Sequence, residues 1–297
     1  MDKKSDKKNK DLILSIITVN LNNLSGLEKT IQSVSGQSFE DFEFIVVDGA
    51  SVDGSIEILK AKNNRIDHWI SEPDKGIYHA MNKGIRQAKG KYCLFLNSGD
   101  WLEDKDVLSR VFGQEQDADI ISGDIAFYDT VKKAIKWLVP SPDILTAKTL
   151  FNGTLPHQAS FIKRELFEKY GFYNENLKIA ADWQFFLETL LEHLVTYHHY
   201  QGLVAYFNMN GISCQPETQN LPLKEKRAVL ESKYPRFISD YDLLDQLEKE
   251  DQIWKNSKEF RVYGFLNKTG IIGIGVFIIR TFNFIKRKFS HSQNLKT

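Results

Sequence analysis

Within its first hundred residues the chain switches repeatedly between short apolar runs and amphipathic segments, and this alternation restricts the fold more than any other feature. LILSIITV (12–19) is β-branched and of strand length, and LEKTIQSVSGQ (27–37) carries Leu27, Ile31 and Val34 at helical spacing. FEFIVVDGAS (42–51) reads as a second strand, SIEILKAK (55–62) as a helix with Asp53 placed to cap it, and IDHWISEPD (66–74) as a third strand. GIYHAMNKGIRQAKG (76–90) reads as a helix closed by Gly90, and KYCLFLN (91–97) as a fourth strand. Such alternation predicts an α/β sandwich, a mostly parallel central sheet with helices on its faces. Ligands of such sheets gather at the carboxyl ends of the strands. That rule selects Thr18-Val19-Asn20, Asp48-Gly49-Ala50-Ser51, Glu72-Pro73-Asp74-Lys75-Gly76 and Asn97-Ser98-Gly99-Asp100. All four segments are polar or charged. The first strand ends in TVNLNNLSG, without G-x-G-x-x-G, which argues against a dinucleotide-binding domain.

Beyond Trp101 the pattern loosens. ADIISGDIAFYD (118–129) and KKAIKWLV (132–139) read as paired strands, followed by a Pro-containing connection, PSPD (140–143). Residues 157–178 predict a short strand and a helix ended by Gly171; AADWQFFLETLLEHL (180–194) is an amphipathic helix, and 195–213 returns to strand. Residues 215–262 are helical and charged. The run 270–285 is apolar but shorter than a spanning helix needs, carries Arg280, and is followed by a basic cluster through Lys288. That composition suits a segment lying in a membrane interface, and a helix packed on the domain or on a partner is the alternative. The Lys-rich start, residues 1–10, reads as a solvated disordered arm with no signal peptide behind it.

Lys+Arg and Asp+Glu are equal at 39 each, so no global field draws in nucleic acid. The two cysteines, Cys93 and Cys214, predict no disulfide framework and fit a reducing compartment. His198 and His199 lack the neighbours of a zinc site.

Five stretches in order, SIITVNLNNLSGLEKTIQSVSGQSF, FEFIVVDGASVDGS, DKGIYHAMNKGI, CLFLNSGD and LPHQASFIKRELFEKYGFYNENLKIAADWQFFLE, resemble the family 2 glycosyltransferases of bacterial polysaccharide assembly. The resemblance spans roughly residues 12–215 and implies a GT-A fold over 11–215, with 216–297 a helical extension that holds the interface segment at 270–289. It implies that Asp48 hydrogen-bonds a uracil, that Thr18 and Asn20 line the nucleotide pocket, and that Lys75 and Gly76 run beside the diphosphate. Asp53 shares the Asp48 turn and serves there or as a cap. Residues 97–100 stand where the family has its DxD motif. Paired carboxylates there hold a divalent cation against the diphosphate. Asn97 and Gly99 replace the first carboxylates, which leaves Asp100 as the metal ligand and Asn97 and Ser98 beside the nucleotide. Asp182, in A-A-D-W, matches the general base of the inverting members, with Ala181 in place of the motif's glutamate. His157 and Trp101 fall on the acceptor and sugar side. The processive members' Q-x-x-R-W segment is absent, which implies a single transfer.

The implied activity moves one sugar from a nucleotide donor, a UDP-sugar, to a glycan or lipid-linked glycan hydroxyl, assisted by Mg²⁺ or Mn²⁺. The implied location is cytoplasmic, peripheral on the inner membrane face. Two alternatives stand: a catalytically inactive homologue that binds nucleotide or lipid, and a sugar nucleotidyltransferase.

Overall fold

The structure is a computed structural model that describes residues 12–61, 65–209, 211, 218, 220–258, 260 and 261. The expected interface segment at 270–289 and the arm at 1–10 lie outside the described residues. The described chain up to Lys233 belongs to one compact unit, and the chain from Tyr234 to a second.

The first unit is built on one mixed sheet. Strands β1 (Leu14–Asn20), β2 (Phe42–Asp48), β3 (His68–Ser71) and β4 (Tyr92–Phe95) are parallel and stand in the order β3-β2-β1-β4. Helices α1 (Leu24–Ser35), α2 (Ser55–Lys60) and α3 (Ile77–Gln87) connect them. Every residue of β1 and β2 is buried, which is why both read as unbroken apolar runs rather than alternating ones. Each such Leu, Ile or Phe contributes roughly 1.5–3 kcal/mol on burial.

Beyond β4 the sheet turns antiparallel. After the short β5 (Trp101–Leu102) and α4 (Val107–Val111) come β6 (Ile120–Asp129) and β7 (Ala134–Val139), the hairpin expected from sequence. Helix α5 (Ala147–Asn152) leads to a 3₁₀ turn at His157–Ala159, then β8 (Ser160–Lys163), α6 (Arg164–Tyr170), α7 (Ala181–Leu191) and β9 (Tyr197–Asn208). β8 bridges β4 to β6, β9 runs parallel to β6, and β5 closes on β9. Helix α8 (Leu221–Lys233) packs on α7. In the second unit, α9 (Pro235–Asn256) is a charged helix with i,i+4 ion pairs such as Lys249–Asp245.

Two glycines do work that the sequence pattern misassigns. α3 ends at Gln87, with Ala88 already extended, so Gly90 does not close it. Gly90 is instead where the chain presses against β1: a Cβ there would lie 2.5 Å from the Leu14 carbonyl carbon, and its amide donates to Ser15 Oγ at 2.8 Å. Asp53 does not occupy the N-cap of α2 either; that place belongs to Gly54, at φ +99°. The Asp53 carboxylate accepts from the Ser55 amide and hydroxyl and, through its other oxygen, from the Leu24 amide, so it ties the starts of α1 and α2 together. Cys93 is core filling, as expected.

α3 lies on β1 through Gly84, where any Cβ would run into the buried Ile17 Cγ2. Gly84→Ala is therefore expected to cost about 1–3 kcal/mol by overpacking, seen as a lower urea midpoint at unchanged m-value.

Candidate active site

The turn that follows β4 is held by backbone chemistry that demands its glycine. The Ser98 amide donates to the Val19 carbonyl at 3.1 Å, and the Asn23 side-chain amide donates to the Ser98 carbonyl at 2.9 Å. Thr30 Oγ1 accepts from the Gly99 amide at 3.0 Å and donates to the Asp100 carbonyl at 2.7 Å. Gly99 sits at φ +104°, and a Cβ there would come within 3.0 Å of Asn208 Nδ2. A carboxylate-bearing residue at this place would be strained and crowded.

Asp48 is fully buried, and every acceptor position of its carboxylate is used. Oδ1 accepts from Asn20 Nδ2 at 2.8 Å and Ser51 Oγ at 2.6 Å; Oδ2 accepts from the Ser51 amide at 2.9 Å and Ser71 Oγ at 2.7 Å. Burial raises its pKa, but these hydrogen bonds outweigh it and hold the carboxyl below the ordinary range. In this arrangement Asp48 clasps the ends of β1, β2 and β3, and a base would have to displace a serine to reach it. Thr18 is likewise spent, donating to the Leu96 carbonyl at 2.7 Å. Asn20 differs: its Oδ1 is buried without a partner. Lys75 and Gly76 are exposed on the loop before α3, and Gly76 takes φ +135° there.

The other end of the site is organised by the 3₁₀ turn, whose successive side chains meet two different carboxylates. His157 Nδ1 lies 3.0 Å from Asp182 Oδ2. Gln158 hydrogen-bonds Asp100, whose Oδ1 also accepts from the Asn208 amide at 2.8 Å. Both carboxylates are nearly sealed, Asp100 at 4% and Asp182 at 8% exposure, yet their charges are supported differently. For Asp182, burial is outweighed by His157 and by Tyr78, whose hydroxyl lies 2.8 Å from Oδ1; the carboxyl is held below the usual range. For Asp100, burial wins, and its pKa is pushed up to about 7 despite the Asn208 amide, the Gln158 side chain and the more distant Lys29 ammonium.

With Asp182 ionised, the proton of the His157–Asp182 bond sits on Nδ1, so that in the neutral imidazole Nε2 is an acceptor. Asn97 Nδ2, 3.3 Å away, is assigned as the donor to it. Asn97 Oδ1 has no partner. Asp182, expected as the group that takes a proton directly, is thus covered by His157 on one oxygen and Tyr78 on the other. Trp101, expected to meet a sugar, already stacks on Tyr206 at 5.0 Å, carries the Lys29 ammonium over its ring and packs edge-on to Tyr128.

Sequence reasoning expected a charged helix within 215–262 but not the contacts that α8 makes. α7 has no side-chain cap of its own; the Glu225 carboxylate caps it from α8, accepting from the amides of Lys178, Ile179 and Ala180 at 2.7, 3.0 and 3.0 Å. The next residue, Lys226, is mostly buried and donates to the Gly153 carbonyl at 2.9 Å. Two adjacent residues thereby brace the two loops that deliver Asp182 and His157. Nothing local in a charged helix signals such pairings, which form across 45 to 73 positions of chain.

Among the described residues no group of three His, Cys, Asp or Glu side chains is arranged as a metal cage. A single carboxylate suffices for a hard cation that also takes phosphate oxygens and water. Asp100 fits that part: it is an oxygen donor whose buried charge is under-compensated.

The family profile of glycosyl transferase family 2 matches residues 15–171, more than half of the 297, and the chain belongs to that family. A PGL/p-HBAD biosynthesis glycosyltransferase of Mycobacterium bovis is 28% identical over 243 residues, 76% of this chain and 93% of the relative. An uncharacterized glycosyltransferase of Mycobacterium tuberculosis is 34% identical over 180 residues, 60% of this chain and 69% of its own. Among solved structures, S. aureus TarS in complex with UDP-GlcNAc superposes with a TM-score of 0.54 at 20% identity, over 66% of this chain. The match spans 58% of that TarS chain, under two thirds of it, and shows the GT-A fold.

Two substitutions test the electrostatics. The folded pKa of Asp100, about 7, lies above its ordinary 3.8, so folding binds a proton more tightly. That contribution is fully present below 3.8 and is lost as pH rises towards 7. Asp100→Asn, melted in EDTA, is expected to be more stable than wild type by roughly 2–4 kcal/mol at alkaline pH and to lose that advantage in acid. Glu225→Ala removes a charge-assisted cap and is expected to cost about 1.5–3 kcal/mol in thermal or urea unfolding.

Proposed function

We propose that this chain is an inverting glycosyltransferase that moves a single sugar from a UDP-sugar to a hydroxyl of a glycan or lipid-linked glycan in cell-surface polysaccharide synthesis. The observation that carries this reading is the His157–Asp182 pair, an ionised carboxylate behind an imidazole whose second nitrogen is an acceptor. The donor class is supported by the TarS complexes with UDP-GlcNAc and UDP, and the acceptor class by the relative named for PGL/p-HBAD biosynthesis. A lipid-linked acceptor puts the enzyme in the cytoplasm, peripheral on the inner membrane face.

In this reading the acceptor hydroxyl displaces Asn97 Nδ2 from His157 Nε2. As its oxygen bonds to the anomeric carbon, its proton passes to Nε2. The bond from that carbon to the diphosphate oxygen breaks, and its electron pair leaves on the diphosphate. Asp182 stabilises the imidazolium that forms and fixes the tautomer beforehand, so it acts through His157 rather than on the acceptor. Bound Mg²⁺ or Mn²⁺, held by Asp100, would neutralise charge on the departing diphosphate. The unpartnered Oδ1 atoms of Asn20 and Asn97 are acceptors suited to donor N–H or hydroxyl groups. Lys75 and Gly76 lie on the loop assigned to the diphosphate side, and Ser98 on the turn that carries Asn97.

The test is a comparison of His157→Gln, Asp182→Asn and the double variant, with UDP binding measured alongside turnover. Each single change is expected to lower kcat by roughly 10²–10⁴ with UDP affinity kept, and the double change to cost little more than either alone. Asp182→Asn presents an amide N–H to Nδ1 and so moves the imidazole proton to Nε2. Full activity of His157→Gln would return the base to Asp182. UDP binding without turnover in wild type would favour the inactive homologue.

A further inference from the structure

We propose that the β6–β7 hairpin is a docking surface for the anionic headgroups of a membrane. Every residue from 131 to 140 is exposed, although the segment reads VKKAIKWLVP. Val131 is 85% and Leu138 59% exposed, and Trp137, tilted against Phe127 at 5.2 Å, is still 42% exposed. Lys132, Lys133 and Lys136 stand among these apolar side chains. Asp129 is the only acid between 125 and 142, and its Oδ1 is used by the Val131 and Lys132 amides to shape the turn. Lysines interleaved with tryptophan and aliphatic residues are the composition of a surface that sits at headgroup level.

The edge of β7 points the same way. Among the described residues β7 pairs with β6 alone. Its outer N–H and C=O groups need water or headgroups, so the strand belongs at the interface and not in hydrocarbon. A second copy of the chain is the competing occupant. Antiparallel pairing of β7 with itself would bring Lys136 of both copies onto one short ladder, with Lys132 and Lys133 of each copy in the turns at its ends, a repulsion that natural edge strands use to avoid self-pairing. The same charges attract an anionic bilayer.

The hairpin is also continuous with the site. Tyr128, at the end of β6, pairs with Asn208, whose amide binds Asp100, and packs against Trp101. A surface held by the hairpin therefore lies one strand from Asp100, where an acceptor anchored in that surface would be within reach.

The experiment is co-sedimentation of the full chain with phosphatidylcholine vesicles, with and without phosphatidylglycerol. Wild type is expected to bind only the anionic vesicles, and less in high salt. The triple change of Lys132, Lys133 and Lys136 to Gln should weaken binding roughly a hundredfold, about fivefold per lysine. Val131→Gln with Leu138→Gln, at sites too exposed to endanger folding, should also weaken it. Unchanged binding in both variants would overturn the proposal and assign lipid contact elsewhere in the chain. A dimer in sedimentation velocity that Leu138→Gln dissociates would overturn it in favour of self-association, as would absence of binding by wild type. No donor or acceptor is present, so failure here leaves the transfer reading standing, and loss of turnover in the His157 variants leaves this one standing.

Discussion

Placing a carboxylate inside a protein costs several kcal/mol unless hydrogen bonds or charges repay it, and among the described residues, besides Glu43 in β2, this chain buries Asp48, Asp100 and Asp182 at the ends of its strands and helices. Each is repaid differently. Asp48 has four donors and no remaining acceptor position. Asp182 has an imidazole and a phenol. Asp100 has one amide, one glutamine side chain and an incomplete balance that leaves it near neutrality in pKa. The degree of repayment separates their roles. A saturated carboxylate is a clasp; in the proposed reaction the one paired with histidine orients a proton acceptor, and the one left short of positive charge is where a cation would be stabilising.

The 3₁₀ turn couples the last two. Because His157 and Gln158 are adjacent, the distance between the imidazole and Asp100 is set by local backbone geometry rather than by two independent loops. That geometry is supported from outside by α8, where Glu225 fixes the approach to Asp182 and Lys226 the approach to His157. The family profile ends at 171, before either support appears. A transferase of this kind therefore depends on a helix that lies beyond its recognisable motifs.

The parallel half of the fold was legible because burial on both faces writes an unmistakable pattern: β1 and β2 are buried throughout and mostly apolar, and the polar residues at the end of each strand mark where the buried backbone emerges. The sequence also selected Asp100, Asp182 and His157, and the structure brings His157 and Asp182 into contact. Their partners were not legible. That Asp182 stands against a histidine depends on a contact across 25 positions, and no spacing rule reports it. The saturation of Asp48 was not legible for the same reason, since the serines that fill its acceptor positions come from two different segments. Gly99 shows a converse case: as a gap in a motif it suggested lost function, whereas its φ of +104° and the crowding by Asn208 show a backbone requirement.

The change of sheet direction explains why the site could form only where it did. β1, β2 and β4 present their carboxyl ends on one side, and the antiparallel partners that follow β4 return the chain to that same side. β8 brings the His157 turn beside the β4 exit, and β9 delivers Asn208 to Asp100. The parallel half alone would carry Asn20, Asn97 and Asp100 but leave Asp100 without its amide donor and without the imidazole opposite. The antiparallel half alone would hold the His157–Asp182 pair without Tyr78 or Asn97, both from the parallel half. Each half lacks the hydrogen bonds that make its own charges tolerable, so the two must close on one another before either can act. Chemistry that joins a donor to an acceptor is thus placed at the seam where the two halves of the sheet complete each other's polar groups.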